Sequence, residues 1–345
     1  MSFGMRSNVA EHEMSKAGPR VAIATGDPAG IGPEISLKAA LDPAVQAICR
    51  PIVVGDATVI ARHAQAARIA ARLVPIRDVA DTAGPGLAVL DVPMPEITDF
   101  GFGQNGAAFG RASLASASRA VRAALVGEVD AVVAAPQNET SIAAAGIEFD
   151  GYPSFVARET GTDKNDVFLM LCFGDTRIVH TTLHVGVAQA VALITRERVD
   201  RVIGAADAAL RRLGVTAPKI YVSGLNPHAG EGGLFGREEI EIISPAIADA
   251  ARKGVDVAGP FGADTIFHKK GCDAFIVMLH DQGHITAKLL AHNATAGLTI
   301  GTPILFSSVA HGSAFDIAGK GVANPSAMIE AIKRLCAAPA AVKAA

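Results

Sequence analysis

The sequence predicts an α/β protein made of two α/β/α domains around a cleft, and three features carry that expectation. Its 345 residues are half hydrophobic, enough for two cores. Short β-rich runs alternate with Ala-rich helical stretches, the pattern of parallel βαβ units with helices on both sheet faces. A hairpin pattern then interrupts that series near the middle. In order, Val21–Ala24 reads as a strand followed by a helix after Pro33, and Ile52–Val54 as a strand followed by a helix over 57–71. A long helix over 107–126 leads to a strand at Ala131–Ala134. Val167–Phe173 and Thr176–Thr182, separated by Gly174-Asp175, form the antiparallel hairpin. Beyond it come a helix over 199–213, a strand at Lys219–Val222, a helix over 238–253 and a strand at Ala274–Leu279. This order gives a disordered tail at 1–19, a discontinuous first domain at 20–136 plus 296–340, and a second domain inserted at 137–295.

The formal charge is −3 and no Lys/Arg block is longer than a pair such as Lys269-Lys270, which argues against nucleic acid or a membrane surface as partner. A small polar substrate fits better. Cys49, Cys172, Cys272 and Cys336 lie far apart without metal or redox spacing and read as buried thiols of a reducing compartment. The first 19 residues lack a signal-like apolar stretch, and no apolar run reaches the roughly 18 residues of a membrane span. A cytoplasmic protein is expected.

Three histidines fall just past strands: His184 in "TTLH", His228 in "GLNPHAGEGG" and His280 in "MLHDQG". Ligands bind at the carboxyl ends of strands in α/β sheets, and three neutral imidazoles with an open position suit Zn²⁺ or a similar ion. The alternative is three separate capping or core histidines. Strand parity places His180, Thr182 and His184 on one face. "GDPAGIGPEI" (26–35) is either a tight strand–helix turn or a means of aiming Asp27 into the cleft. "HGSAFDIAGKGVANPSAM" (311–328) is either an ordinary loop or one that wraps an adenine and ribose, with Asp316 accepting from a hydroxyl. No P-loop, HExxH or GxSxG motif occurs.

Taken in order, "GDPAGIGPEI", "GLNPHAGEGG", "GPFGADT" (259–265), "HDQG" and "HGSAFDIAGKG" resemble the 4-hydroxythreonine-4-phosphate dehydrogenase family over residues 20 to 335. The last motif also resembles the adenine-binding loop of isopropylmalate and isocitrate dehydrogenases. The resemblance implies an isocitrate/isopropylmalate dehydrogenase-like fold and a homodimer with its active site shared between subunits. It further implies NAD and a divalent metal, with Zn²⁺ favoured by three imidazoles. His184, His228 and His280 match the metal ligands, the third coming from the partner. Lys288 matches the catalytic lysine, and Asp264 and Asp281 match acidic site positions. His311, Gly312, Ser313, Ala314, Asp316 and Asn324 are the expected cofactor residues.

The departures from the family bear on the substrate. Where phosphate-specific members have Gly-His-Thr-Glu, this chain has "GYPS" (151–154), so Tyr152 and Pro153 replace a substrate-binding His and Thr. Gly297 stands where an Asn binds substrate, and Phe306 where an Arg meets phosphate. Phe offers neither charge nor donors to a phosphate. "GYPS", "LHDQGHI" and "RIVHTTLH" are similar instead to the terephthalate 1,2-cis-dihydrodiol dehydrogenase branch. The expected substrate-binding set is therefore Tyr152, Pro153, Phe306, Asp27 and His284, the last facing a second carboxylate. The expected reaction is oxidation of terephthalate 1,2-cis-dihydrodiol followed by decarboxylation to protocatechuate. The alternatives are a vitamin B6 or sugar-acid phosphate dehydrogenase with a relocated phosphate site at Arg237 and His284, and a metal-binding protein without turnover.

Overall fold

Continuous apolar runs become central strands because both faces of a parallel sheet are covered. In the computed structural model, which describes residues 18–81, 84–97, 100–291 and 295–336, the chain divides into two units, 1–147 with 312–336, and 148–311. The expected tail falls almost wholly outside the described residues.

The first unit carries β1 (Arg20–Ala24), β2 (Arg50–Gly55), β3 (Leu73–Ile76), β4 (Leu87–Asp91) and β5 (Ala131–Ala134) in the order β3-β4-β2-β1-β5. Every pairing is parallel. Val21–Ala24 and Val132–Ala134 are wholly excluded from solvent. Helices Gly32–Ala40, Ala57–Ala66 and Ser326–Cys336 pack in a chain, the first touching both others, and Ala107–Leu125 packs on β1, β2 and β5. The second of these helices stops five residues short of the expected end, where Arg68 turns to a φ of 53°.

Among the described residues the second unit has seven strands. They are β6 (Phe168–Phe173), β7 (Thr176–His180), β8 (Lys219–Ser223), β9 (Asp256–Phe261), β10 (Ala274–Val277), β11 (Ala296–Ile300) and β12 (Phe306–Val309), in the order β12-β11-β6-β7-β10-β8-β9. From β12 to β7 the pairings are antiparallel, including the predicted hairpin, and from β7 to β9 they are parallel.

Four expectations need correction. Helix Glu139–Ala144 packs on Ala107–Leu125, so the first unit runs past residue 137 to 147. Strands β11 and β12 pair through β6, so the return falls at 311/312 and not at 295. Strand β7 ends at His180, which leaves Thr182 and His184 outside its parity, and β10 ends at Val277, so His280 opens a helix (His280–Leu290). Cys49 and Cys172 are buried, but Cys272 and Cys336 are half-exposed. Among the described residues no helix is long and apolar enough to cross a membrane.

Candidate active site

The parallel trio β7-β10-β8 brings three carboxyl ends side by side, and these are the ends that precede His184, His280 and His228. Each residue of "HDQGH" then has a local task. The Gln282 side chain accepts from the Met278 and Leu279 N–H groups, both at 2.9 Å, and donates to Gly224 O at 3.2 Å, tying the helix start to the end of β8. Asp281 Oδ1 lies 2.7 Å from His280 Nδ1, so the carboxylate holds that ring's proton and turns Nε2 outward. Gly283 leaves room for His180, since a Cβ there would come within 2.2 Å of His180 Nε2.

His280, His284 and Lys288 repeat at i, i+4 and i+8 and form one stripe of the helix. The two imidazoles and the ammonium of this largely apolar or small-residue stretch therefore occupy a single helix face. His280 and His284 stack with centroids 3.8 Å apart and planes 10° apart. His184 lies 5.5 Å from His280 by ring centroids, and His180 lies 4.6 Å from His284. Burial and the neighbouring imidazoles hold His284 down to about 4 and His180 to about 3, so both are neutral at pH 7.

His228 sits apart, on an exposed loop beside Glu231 Oε2 at 3.3 Å. That loop is unusual. His228, Ala229, Gly230, Glu231 and Gly232 all have φ between 44° and 79°, and three of them are not glycine. Such residues cost roughly 1–2 kcal/mol each in the left-handed region. The buried Glu239 carboxylate holds the entry to the loop, accepting from Leu225 N at 2.7 Å, Asn226 N at 2.8 Å and Asn226 Nδ2 at 3.0 Å.

One chain thus gathers His184 and His280, and among the described residues no three His, Cys, Asp or Glu side chains are grouped closely enough to hold an ion. The donor set fits a divalent metal in part. A tetrahedral ion with Zn–N bonds near 2.1 Å sets two imidazole centroids on the order of 5 Å apart, close to the His184–His280 spacing.

Phe306, which the resemblance sets at the phosphate position, is only 1% exposed, so its ring belongs to the core and does not line a surface. Its ring meets Tyr152 at 5.1 Å, and Tyr152 also touches Phe149 and Phe155. Pro153 starts the helix Tyr152–Thr160. Strand pairing links this aromatic group to the histidines: Phe306 pairs with Thr299, Thr299 with Leu169, and Leu169 with His180. Directly paired residues share a sheet face, so both ends of the row look the same way, about 14 Å apart at roughly 4.8 Å per strand.

Other predicted residues divide into committed and open ones. Asp27 is fully buried and spends Oδ1 on its own turn, accepting from Ala29 N at 2.8 Å, while its buried Oδ2 has no hydrogen-bond partner among the described residues. Burial pushes its carboxyl up to about 6. Asn324 caps the helix at Ser326, and Ser313 donates to Gln137 O at 3.1 Å. By contrast, Asp316, Lys288 and Asp264 are exposed, and their side chains make no hydrogen bond or ion pair among the described residues. Within the first unit, "GDPAGIGPEI" docks onto the 312–324 loop. Ile31 N donates to Ser313 O at 2.9 Å, and a Cβ at Gly30 would fall 2.8 Å from that serine's Cβ. Glu34, wholly buried, accepts from Ala323 N and Gly321 N while pairing with Lys38 at 2.7 Å. Sequence reasoning missed Glu34, Glu239 and Gln282. The available signal was a carboxylate or amide in an otherwise apolar motif.

The family model for pyridoxal phosphate biosynthetic protein PdxA matches residues 47–335. The chain belongs to the PdxA family. It is 41% identical to a 1,2-dihydroxy-3,5-cyclohexadiene-1,4-dicarboxylate dehydrogenase of Comamonas sp, covering 93% of this chain and 98% of that protein. It is also 37% identical to a D-threonate 4-phosphate dehydrogenase of Cupriavidus necator, covering 93% and 97%. Among solved structures, a terephthalate 1,2-cis-dihydrodiol dehydrogenase of Burkholderia xenovorans LB400 is similar at 43% identity and TM-score 0.71, covering 92% and 98%. A 4-hydroxythreonine-4-phosphate dehydrogenase of Klebsiella pneumoniae is similar at 36% and TM-score 0.84, with the same coverage. This PdxA-family chain is accordingly an oxidoreductase of the dehydrogenase type.

Proposed function

We propose that this PdxA-family chain is a metal-dependent, NAD-linked oxidative decarboxylase of a β-hydroxy acid without phosphate. The substrate we assign is terephthalate 1,2-cis-dihydrodiol and the product protocatechuate. The observation that carries this is the buried Phe306–Tyr152 contact where phosphate-specific members place an Arg and a His. A phosphate needs several donors and positive charge, and among the described residues no Lys or Arg lies over the Phe306 ring.

The phosphate-ester reading draws on the D-threonate 4-phosphate relatives and needs replacement donors. Both candidates are already engaged. Arg237 Nε pairs with Glu241 at 2.5 Å, and His284 spends Nδ1 internally.

The resemblance implies that His280 comes from the partner, but His184 and His280 lie together in one chain, so these two would hold a divalent ion, Zn²⁺ by ligand type, with the partner's His228 completing the set across a homodimer interface. Such an ion supplies Lewis-acid polarisation of the two vicinal diol oxygens. Exposed Ile285, Leu289, Leu290, Val187 and Leu234 in the same unit give a second copy an apolar surface to cover. Asp281 keeps His280 oriented. Lys288, or a water held by Asp264, takes the proton from the hydroxyl being oxidised while hydride leaves for NAD⁺. Asp316 is open to accept from a cofactor hydroxyl. The new ketone lies β to a carboxylate, so CO₂ departs and tautomerisation restores an aromatic ring.

The test is NADH formation by Zn²⁺-loaded protein offered the terephthalate dihydrodiol, 4-phosphohydroxythreonine or D-threonate 4-phosphate. Turnover of the diol alone supports the assignment. Turnover confined to a phosphate ester overturns it.

A further inference from the structure

Two backbone carbonyls fix the direction of the hydrogen bonds through the histidine pair behind the site. A carbonyl only accepts, so each ring nitrogen facing one must carry the proton. His284 Nδ1 lies 3.3 Å from His280 O, and His180 Nδ1 lies 3.4 Å from Leu169 O. Both Nδ1 atoms are therefore donors, and His180 Nε2 is left as an acceptor. The 3.1 Å contact between His284 Nδ1 and His180 Nε2 agrees with that polarity. Either carbonyl alone would set the same direction for the shared bond. The relay runs from His284 through His180 to Leu169, and Gly283 leaves the space in which His180 sits.

The relay ends in a lone pair. His284 is half-buried, and its Nε2 has no hydrogen-bond partner among the described residues, so the nitrogen offered outward accepts and does not donate. A carboxylate or phosphate oxygen placed against it would meet lone pair on lone pair, which contradicts the expectation that His284 binds a second carboxylate.

We propose that His284 Nε2 is a specificity-determining acceptor for a substrate hydroxyl, so that this side of the site selects a hydroxyl-bearing carbon over an anionic group. This deepens the proposed function and rests on it for the identity of the diol. His180 is then a positioning residue, acting only through the tautomer it imposes.

The test uses the full chain labelled with ¹⁵N-histidine. Long-range ¹H–¹⁵N spectra at pH 7.5 should show His180 and His284 protonated at Nδ1, and an Nε2–H form of His284 overturns the proposal. Titration with Zn²⁺ alone should leave His284 Nε2 at the ¹⁵N shift of an unligated lone-pair nitrogen; a move to the shift of a metal-bound nitrogen makes it a ligand and also overturns the proposal. In kinetics, His284→Leu should raise KM about tenfold with kcat little changed, the loss of one hydrogen bond, and His284→Gln, which keeps an acceptor, should recover most of it. His180→Phe should raise KM in the same way without touching substrate. Unchanged KM in His284→Leu overturns the inference. These ratios are read on whichever hydroxy acid the wild type oxidises, so failure on the dihydrodiol would sink the substrate assignment alone.

Discussion

The two motif-bearing regions treat their polar groups in opposite ways. In the first unit, Glu34, Lys38, Ser313 and Asn324 spend their hydrogen bonds on backbone, and the result is a seat for one loop. In the second unit, His184, His280, His284 and Lys288 share one locality yet keep atoms facing outward. The contrast separates support from chemistry. Buried polar groups are tolerated where they are satisfied, and groups left unsatisfied at a surface are those available to a ligand.

Substitutions on the two sides should fail differently. The largest effect is expected for His280→Ala, a loss of kcat/KM of at least about 10³-fold with little change in melting temperature, since an ion or its substrate contact would be lost and no core contact. A comparable loss of melting temperature would erase the distinction. On the other side, Glu34→Ala should destabilise the first unit by about 3 kcal/mol, because it strands Lys38 and two loop N–H groups, visible as a lower thermal midpoint.

His63 gives a pH-dependent version of the same contrast. Burial holds its imidazole down to about 4, with Nε2 at 2.8 Å from Pro28 O. The unfolded ring takes a proton near pH 6.5 and the folded ring does not. Its contribution is therefore complete above pH 6.5 and is lost as pH falls toward 4, on the order of 3 kcal/mol in all. His63→Gln should flatten that acid limb of a melting-temperature profile while leaving kcat at pH 8 unchanged. The smallest effect should come from Glu239→Gln, about 10-fold in kcat/KM, because the left-handed loop under His228 loses its charged anchor but keeps an amide one.

Much of this was legible in the sequence, and for definite reasons. Alternating β-rich and Ala-rich runs located β1, β2 and β5 of the first unit but not β3 or β4, and Gly174-Asp175 located the hairpin. The family motifs pointed to His184, His280 and Lys288, which the second unit places near one another. The return to the first unit was set near 295 because the pattern ahead of it names no strand beyond Leu279, and only the antiparallel pairing of Ala296–Ile300 with β6 assigns that stretch to the second unit. Strand parity failed at His184 because nothing in "VHTTLH" marks where pairing stops. Phe306 was correctly tied to Tyr152, but its burial was invisible, since an aromatic residue in a short strand reads alike whether it lines a pocket or backs one. The polarity of His284 was out of reach altogether, because it depends on two carbonyls that pattern does not reveal.

The row from Phe306 through Thr299 and Leu169 to His180 also works as a ruler. Its length is counted in strands and its facing is set by register, with the two-residue turn at Gly174-Asp175 as the zero mark. Inserting one residue in that turn would carry His180 to the opposite face while Phe306 stayed in place. New substrates in this scaffold are therefore reached by exchanging side chains along the row, while the spacing between its aromatic and imidazole ends stays constant.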